Sequence, residues 1–280
     1  VGKGRALLAL GEYAEAGDAV AQVPDDFQYA LTYSTIVSPG VGADQPKNTN
    51  FVWDDFRSEV TALPLTMVDR EGTNGLPYLS SGDPRTAWVA NGTNSHGLAL
   101  SRPAKYSIAG DSPLVVASGI EARLIEAEAQ LNGAEAGDWL TTLNALRTNG
   151  TFTGVDTLID HVDTTDVGGT TVIDTTYRYD TLWVAGTGGV AHLGPLTDPG
   201  TQDARVDLLF RERAFWLFLT GHRQGDLRRL IRNYGRDPET VYPTGPYPGA
   251  NGSYGLDVTA PIPSSERNNP RFNGCLNRGA

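Results

Sequence analysis

Hydrophobic residues recur at helical spacing in three pairs of segments, and glycine separates the two segments of each pair. The pairs lie near residues 3–22, interrupted at Gly11; near 118–147, interrupted at Gly133 and Gly137; and near 206–233, interrupted at Gly221. Apolar side chains three or four positions apart share one helix face, and glycine readily ends helices. The pattern therefore predicts three αα-hairpins.

The third pair is the most strongly patterned part of the chain. Its predicted helices are Val206–Thr220 and Asp226–Asn233, and Phe215 and Trp216 stand at core spacing in the first of them. In the first pair, Gly11-Glu-Tyr13-Ala-Glu-Ala16 resembles the turn of a tetratricopeptide repeat. The predicted fold is mostly α, a tetratricopeptide-like α-solenoid of helical hairpins with long irregular loops and little β-structure.

The segments between the hairpins differ in composition from the helices. Residues 32–113 and 148–202 are rich in Gly, Pro, Thr, Asn and Asp and carry isolated aromatic residues, with short β-like runs at Thr170–Tyr179 and Leu182–Val184. Long loops on a rigid scaffold usually serve a function. These two regions are the predicted ligand-facing surface.

Charge and cysteine content exclude several classes of protein. The net charge of the 280 residues is −11, and no run of Lys or Arg offsets it, so nucleic acid is not an expected partner. Cys275 is the single cysteine, which excludes an intramolecular disulfide and a multi-cysteine metal site. No apolar run approaches the length of a membrane span, and Val1–Leu10 does not have the pattern of a secretory leader.

Several short motifs then follow one another in a recognisable order. The set resembles the SusD/RagB family of outer-membrane nutrient-binding proteins over nearly the whole chain. The motifs are Asp83-Pro84-Arg85, Lys105-Tyr106, Ala127-Glu128-Ala129, Glu212-Arg213-Ala214, Gly221-His-Arg223-Gln-Gly-Asp226-Leu-Arg228-Arg229, Val241-Tyr-Pro243, Tyr254-Gly255, and Pro261-Ile262-Pro263-x-x-Glu266 with Asn269-Pro270.

The resemblance implies a function and a location. Residues 1–280 are expected to be the carboxyl-terminal part of a single SusD-like domain, which lacks the amino-terminal half, the lipid-bearing cysteine and the usual tail. Such proteins bind an oligosaccharide, or a peptide in the RagB branch, on the extracellular face of the bacterial outer membrane. Their partner is a SusC-like, TonB-dependent transporter, and they touch the membrane only through the lipid anchor. They are not enzymes and need no cofactor.

Aromatic residues of the first loop region are the candidate ligand contacts. They are Trp53, Phe56, Tyr78, Trp88 and Tyr106, joined by Arg57. Flat rings stack on the apolar faces of sugars, while guanidinium and amide groups such as those of Asn48, Asn50 and Asn74 bind hydroxyls. The simpler interpretation is that each ring anchors its loop to the core.

Three charged residues beside Gly221 have a structural interpretation. Glu212, Arg223 and Asp226 are expected to form an ion pair or helix cap that fixes the crossing of the third hairpin, rather than a catalytic group.

Three alternatives to oligosaccharide capture remain open at this point. The ligand could be a peptide, the protein could have an assembly role at the cell surface, or a pair of its 33 acidic residues could hydrolyse a glycan. An exposed apolar patch along Lys3–Val20 would favour assembly. Gly110-Asp111-Ser112 resembles a serine-hydrolase motif, but none of the four histidines has an aspartate three residues before it.

Overall fold

A computed structural model describes the protein over part of the chain. The described residues are 1–31, 74–78, 81–86, 88–93, 99–103, 114–133, 138–149, 155–167, 170–181, 193–246, 253–255, 258, 266 and 268–272, with the backbone alone over 88–93, 99–103, 155–167 and 170–181.

The first predicted hairpin is confirmed. Helix α1 spans Gly2–Leu10 and helix α2 spans Tyr13–Asp18. Gly11 ends α1 in the left-handed region with φ of 81°, and its amide donates to carbonyls of the last turn. Gly4 lets α1 approach α2 closely, since a Cβ at that position would lie 2.9 Å from Cγ1 of Val20.

The second hairpin is also confirmed, as helices α3 (Gly119–Leu131) and α4 (Trp139–Asn149). Ser118 caps α3 by accepting a hydrogen bond from the amide of Glu121, and this polar cap explains where the helix begins. Asp138 accepts from the Thr141 amide in the first turn of α4 in the same way.

The third hairpin consists of α5 (Gln202–Trp216) and α6 (Arg223–Arg232), followed by the short helix α7 (Pro238–Val241). Helix α5 starts and stops four residues before the predicted Val206–Thr220. Its polar first turn is capped by Thr201, and Leu219 in the connecting turn adopts a φ of 56° that a helix cannot accommodate.

Helix α3 lies at the centre of the hydrophobic core. One face of α3 joins α4, α5, α6 and α7 in a cluster that also buries Trp139 and Trp216. Its other face, with Ala122 and Ile125, packs on Leu8 of α1 and on α2. Because α3 is buried on two sides, the three hairpins are in contact in the order of the sequence.

The described residues also form three antiparallel strand pairs. They are β1 (Gln28–Leu31) with β4 (Leu114–Ser118), β2 (Trp88–Thr93) with β3 (Ala99–Pro103), and β5 (Val155–Val167) with β6 (Thr170–Thr181). The last pair is a long hairpin with Val167 opposite Thr170. It lies inside the predicted loop region 148–202 and extends the β-like run expected at Thr170–Tyr179, whereas Leu182–Val184 lies outside the described residues.

The described part of the chain is mostly helical, as the sequence predicts. None of its helices has the length and apolar character needed to cross a membrane.

Candidate functional site

Four buried charges form what we call the inner quartet: Glu128, Arg213, Asp226 and Arg229. Arg213 donates from Nε and Nη2 to the two oxygens of Asp226, both at 3.0 Å. Arg229 donates to Asp226 at 2.9 Å and to both oxygens of Glu128 at 3.1 and 2.8 Å. Two guanidinium groups thus balance two carboxylates where α3, α5 and α6 meet.

Burial and neighbouring charges shift the pKa values of Asp226 and Arg229 in opposite directions. Burial by itself raises the pKa of Asp226, but the charges of Arg213 and Arg229 outweigh it and hold that pKa at about 2. The pKa of Arg229 is raised because Glu128 and Asp226 overcome the cost of its burial. Asp226 therefore stays ionised inside the core, and the oxygens of both carboxylates accept hydrogen bonds from arginine.

A second set, the loop quartet, contains Asp83, Arg85, Arg147 and Glu212. Arg85 donates to Glu212 at 2.7 and 3.3 Å and to Asp83 at 2.9 and 2.6 Å. Arg147, from the last turn of α4, donates to Glu212 at 2.6 Å. This set is also neutral, and it attaches the 3₁₀ turn Pro84–Thr86 to α4 and α5.

Arg85 is unusual for an arginine in a loop because it is 2% exposed. Its guanidinium carbon lies 4.9 Å from the ring centre of Trp216 and 5.3 Å from that of Phe215, so aromatic faces cover the charge. Burial lowers the pKa of Arg85, but Asp83 and Glu212 more than compensate and the net effect is an increase.

A half-buried ion pair attaches the first hairpin to the second. Arg5 binds both oxygens of Glu121 at 2.6 and 2.7 Å, and Nε2 of His222 lies 3.2 Å from the same carboxylate. Burial opposes ionisation of Glu121, but His222 and Arg5 lower its pKa to about 2. With its oxygens engaged, Glu121 is poorly placed to act as a catalytic base.

These charged groups have a structural role, because they hold together helices and loops that are distant in the sequence. Glu212 and Arg213 are neighbours on α5, and one enters the loop quartet while the other enters the inner quartet. Within the described ranges, no group of three or more His, Cys, Asp or Glu side chains could hold a metal ion.

A cavity of about 440 Å³, which we call the helix cavity, opens beside these quartets. Its floor is apolar and consists of Leu76, Phe210, Leu227, Leu230 and Val241, which come from segment 74–78 and from α5, α6 and α7. A volume of this size lies within the range of small-molecule sites.

Polar groups line the remaining wall of the helix cavity. They are Asn74, Asp207, Arg211, Arg223, Arg236 and Thr240. Arg236 donates to Oδ1 of Asp207 at 2.9 Å and to the carbonyl of Asp203 at 2.7 Å, which fixes it at the rim. Asn74 donates to the carbonyls of Glu239 and Tyr242 and so attaches the loop to α7.

Tyr78 lies close to this cavity, on the same short segment as Leu76. Its ring packs 5.3 Å from Phe215 and 4.8 Å from Phe218, and its carbonyl accepts from the Thr86 hydroxyl. Burial raises the pKa of Tyr78, while the nearby charge of Arg223 acts in the opposite direction. The side chain is half-buried and anchors its loop to α5.

The other predicted ligand contacts are not described as side chains. Trp53, Phe56, Arg57 and Tyr106 lie outside the described residues. Trp88 is the first residue of β2, where the structure describes the backbone alone. Their role as ligand contacts therefore stays a prediction.

The structure assigns new partners to the predicted structural trio. Glu212 pairs with Arg85 and Arg147, and Asp226 pairs with arginines of α5 and α6. Among the described ion pairs, none joins Arg223 to Glu212 or Asp226; Arg223 lies at the start of α6 and faces the helix cavity.

Sequence reasoning missed several of these residues. Arg147 and Arg211 stand in helical segments without any motif that marks them. Arg85 and Glu128 belong to the family-like motifs of the sequence analysis, and that membership was the one sequence signal that they form part of the buried charge clusters.

The tail of the chain also contacts the third hairpin. The Val258 carbonyl accepts from Gln224 Nε2 at 2.7 Å and from the Tyr242 hydroxyl at 3.1 Å. The tail at Val258 is thus joined directly to α6 and to Tyr242 of the family-like motif Val241-Tyr-Pro243.

Comparison of the chain with models of known protein families, with curated proteins and with solved structures yields no match.

Proposed function

We propose that this protein is a cell-surface nutrient-binding protein of the SusD/RagB type, which captures an oligosaccharide for a TonB-dependent outer-membrane transporter. The observation that carries the proposal is the convergence of the family-like motifs in the interior. Asp83-Pro84-Arg85, Glu128, Glu212-Arg213 and Asp226 with Arg229 are far apart in sequence, yet all enter the two buried quartets. Short motifs that resembled those of the family only by chance would not be expected to contact one another in the fold.

The arrangement of the hairpins supports a solenoid. Each hairpin packs on the next in sequence order, with α3 between its two neighbours. Stacked helical hairpins form an extended scaffold that carries its binding groups on loops. In this proposal the helices face the transporter and the loop regions 32–113 and 148–202 face the ligand.

Capture in this proposal requires no chemistry. Aromatic rings stack on sugar faces, polar groups bind hydroxyls, and the protein closes over the transporter as a lid. The described carboxylates of the quartets are occupied by arginine, an arrangement that suits structural support rather than acid–base catalysis. No cofactor enters the proposed mechanism.

Assembly and peptide capture are the rival functions. Leu10 is the large hydrophobic residue exposed within Lys3–Val20, and a single exposed leucine does not form the patch that assembly would need. A peptide ligand would require backbone-directed hydrogen bonds, and in the described ranges no observation favours it over sugar.

A glycan array followed by affinity electrophoresis of the full chain tests the proposal. We expect retention by at least one glycan without release of product, and loss of retention in the Trp53→Ala/Trp88→Ala double variant. Tyr29→Ala is the matched control, because Tyr29 is an aromatic residue exposed to solvent (59%) outside the predicted ligand region. Absence of retention on every glycan, or turnover of any of them, would refute the proposal.

A further inference from the structure

We infer that the helix cavity, where segment 74–78 of the predicted ligand-facing region meets α5, α6 and α7, binds the carboxylate of an acidic sugar residue, a uronic acid. This inference rests on the proposed oligosaccharide capture and names the class of sugar that the described part of the chain can recognise.

The charge of the helix cavity is opposite to that of the chain. The whole protein carries −11, whereas the described lining of the cavity has three arginines and one carboxylate, that of Asp207. Asp207 is already bound by Arg236 at 2.9 Å. Among the described ion pairs none uses Arg211 or Arg223, so two guanidinium groups remain for a ligand. A guanidinium group binds a carboxylate with two parallel hydrogen bonds.

Arg223 stands where a positive charge does not help the helix. It is the first residue of α6, at the positive end of the helix dipole. Asp226 lies in the same turn, but its carboxylate is bound by Arg213 and Arg229. Arg223 therefore forms no described ion pair, although its charge helps to lower the pKa of Asp226, and an anionic ligand would give its guanidinium group a direct partner.

The shape of the cavity favours a sugar over a peptide. Its apolar lining includes Leu76, which is half-buried on segment 74–78 and offers a surface to the C–H face of a sugar ring. Its described walls are mainly helices α5, α6 and α7, whose backbone groups are largely used within the helices. A peptide needs free backbone partners or a strand edge to bind along its length.

Calorimetric titration with tri-galacturonate, and with its fully methyl-esterified form, tests the inference on the full chain. The ester keeps the sugar rings and removes the negative charge. We expect the acid to bind at least about tenfold more tightly than the ester, a difference that shrinks as NaCl is added. The Arg211→Gln/Arg223→Gln double variant should lose about tenfold or more in affinity for the acid and little for the ester.

Two further variants separate binding from folding. Arg232→Gln removes an exposed arginine of α6 that does not line the cavity, and it should bind the acid as the wild type does. Arg223→Gln should lower the melting temperature far less than Asp226→Asn, because Asp226 makes direct hydrogen bonds inside the inner quartet and Arg223 makes none there.

The outcomes distinguish this inference from the proposed function. Equal affinity for acid and ester, or unchanged binding by the double variant, overturns the carboxylate site, while neutral glycans retained on the array would leave capture intact. Tighter binding of the tripeptide Ala-Leu-Ala than of tri-galacturonate overturns the assignment to a sugar. If no glycan of any kind binds, the carboxylate site and the proposed oligosaccharide capture are both refuted.

Discussion

Replacement of Asp226 by asparagine is the sharpest test of the inner quartet. The substitution keeps the shape of the side chain and removes its charge. Asp226 accepts three hydrogen bonds from Arg213 and Arg229 at 2.9–3.0 Å and is 2% exposed. In the variant, an amide nitrogen replaces one accepting oxygen, and two buried arginines face Glu128 alone.

Two estimates of the effect agree in size. The pKa of Asp226 is about 2 against an ordinary 3.8, and a difference of that size corresponds to about 2–3 kcal/mol of stability. Removing one partner of a buried ion pair typically costs about 3–5 kcal/mol. We therefore expect Asp226→Asn to lower the free energy of unfolding by about 3 kcal/mol, and the melting temperature by roughly 6–12 °C.

The pH dependence follows from the direction of the pKa shift. Because the folded state lowers the pKa of Asp226, its contribution is fully present above the ordinary value of 3.8 and is lost as the pH falls towards about 2. The difference between wild type and Asp226→Asn should be constant in the neutral range and should shrink below about pH 4.

Urea unfolding followed by tryptophan fluorescence measures this difference, since Trp139 and Trp216 are buried and report loss of the core. The control is Asp198→Asn, which removes an exposed carboxylate paired with Arg205 and should change stability far less. If Asp226→Asn unfolds at the wild-type urea midpoint at pH 7, or if its deficit stays the same at pH 3, the argument for the inner quartet is wrong.

Two further substitutions test the close packing and the loop quartet. Gly119→Ala should destabilise the protein strongly, because the new Cβ would lie 2.2 Å from the carbonyl oxygen of Asp25. Gly2→Ala is the control and should be tolerated, because Gly2 has open space around it. Equal melting temperatures for the two variants would contradict this expectation. Arg85→Lys keeps the charge but loses the bidentate hydrogen bond to Glu212. It should lower the free energy of unfolding, measured in urea, by about 1–3 kcal/mol. Arg85→Met should cost more, about 3–5 kcal/mol, because it leaves Asp83 without its arginine and Glu212 with Arg147 alone. A methionine variant as stable as the lysine variant would show that the charge of Arg85 does not matter.

The helical hairpins could be predicted from the sequence because their signals are local. Apolar spacing and single glycines are read within a few residues, and Gly11 ends α1 as expected. The limits of α5 were less accurate, since the hydrophobic pattern begins at the first buried residue, Val206, while the helix begins in an exposed polar turn capped by Thr201.

Strand pairing depended on contacts that no local pattern records. Strand β1 pairs with β4 across most of the first loop region, with Gln28 opposite Ser118. The length of the β5–β6 hairpin was also underestimated, because its Thr- and Asp-rich strands lack the apolar alternation by which a half-buried strand is read.

By itself, the sequence determined which of the described segments are helical and that Trp216 lies in the core, because the spacing of apolar residues carries that information. Only the tertiary structure decided the partners of the charged residues. Glu212 was expected beside Arg223, yet it binds Arg85 and Arg147, which reach it from a loop and from another helix. Ion pairs in a core are set by how distant elements pack, and burial makes each unpaired charge costly, so the pairing follows the fold rather than the order of the chain.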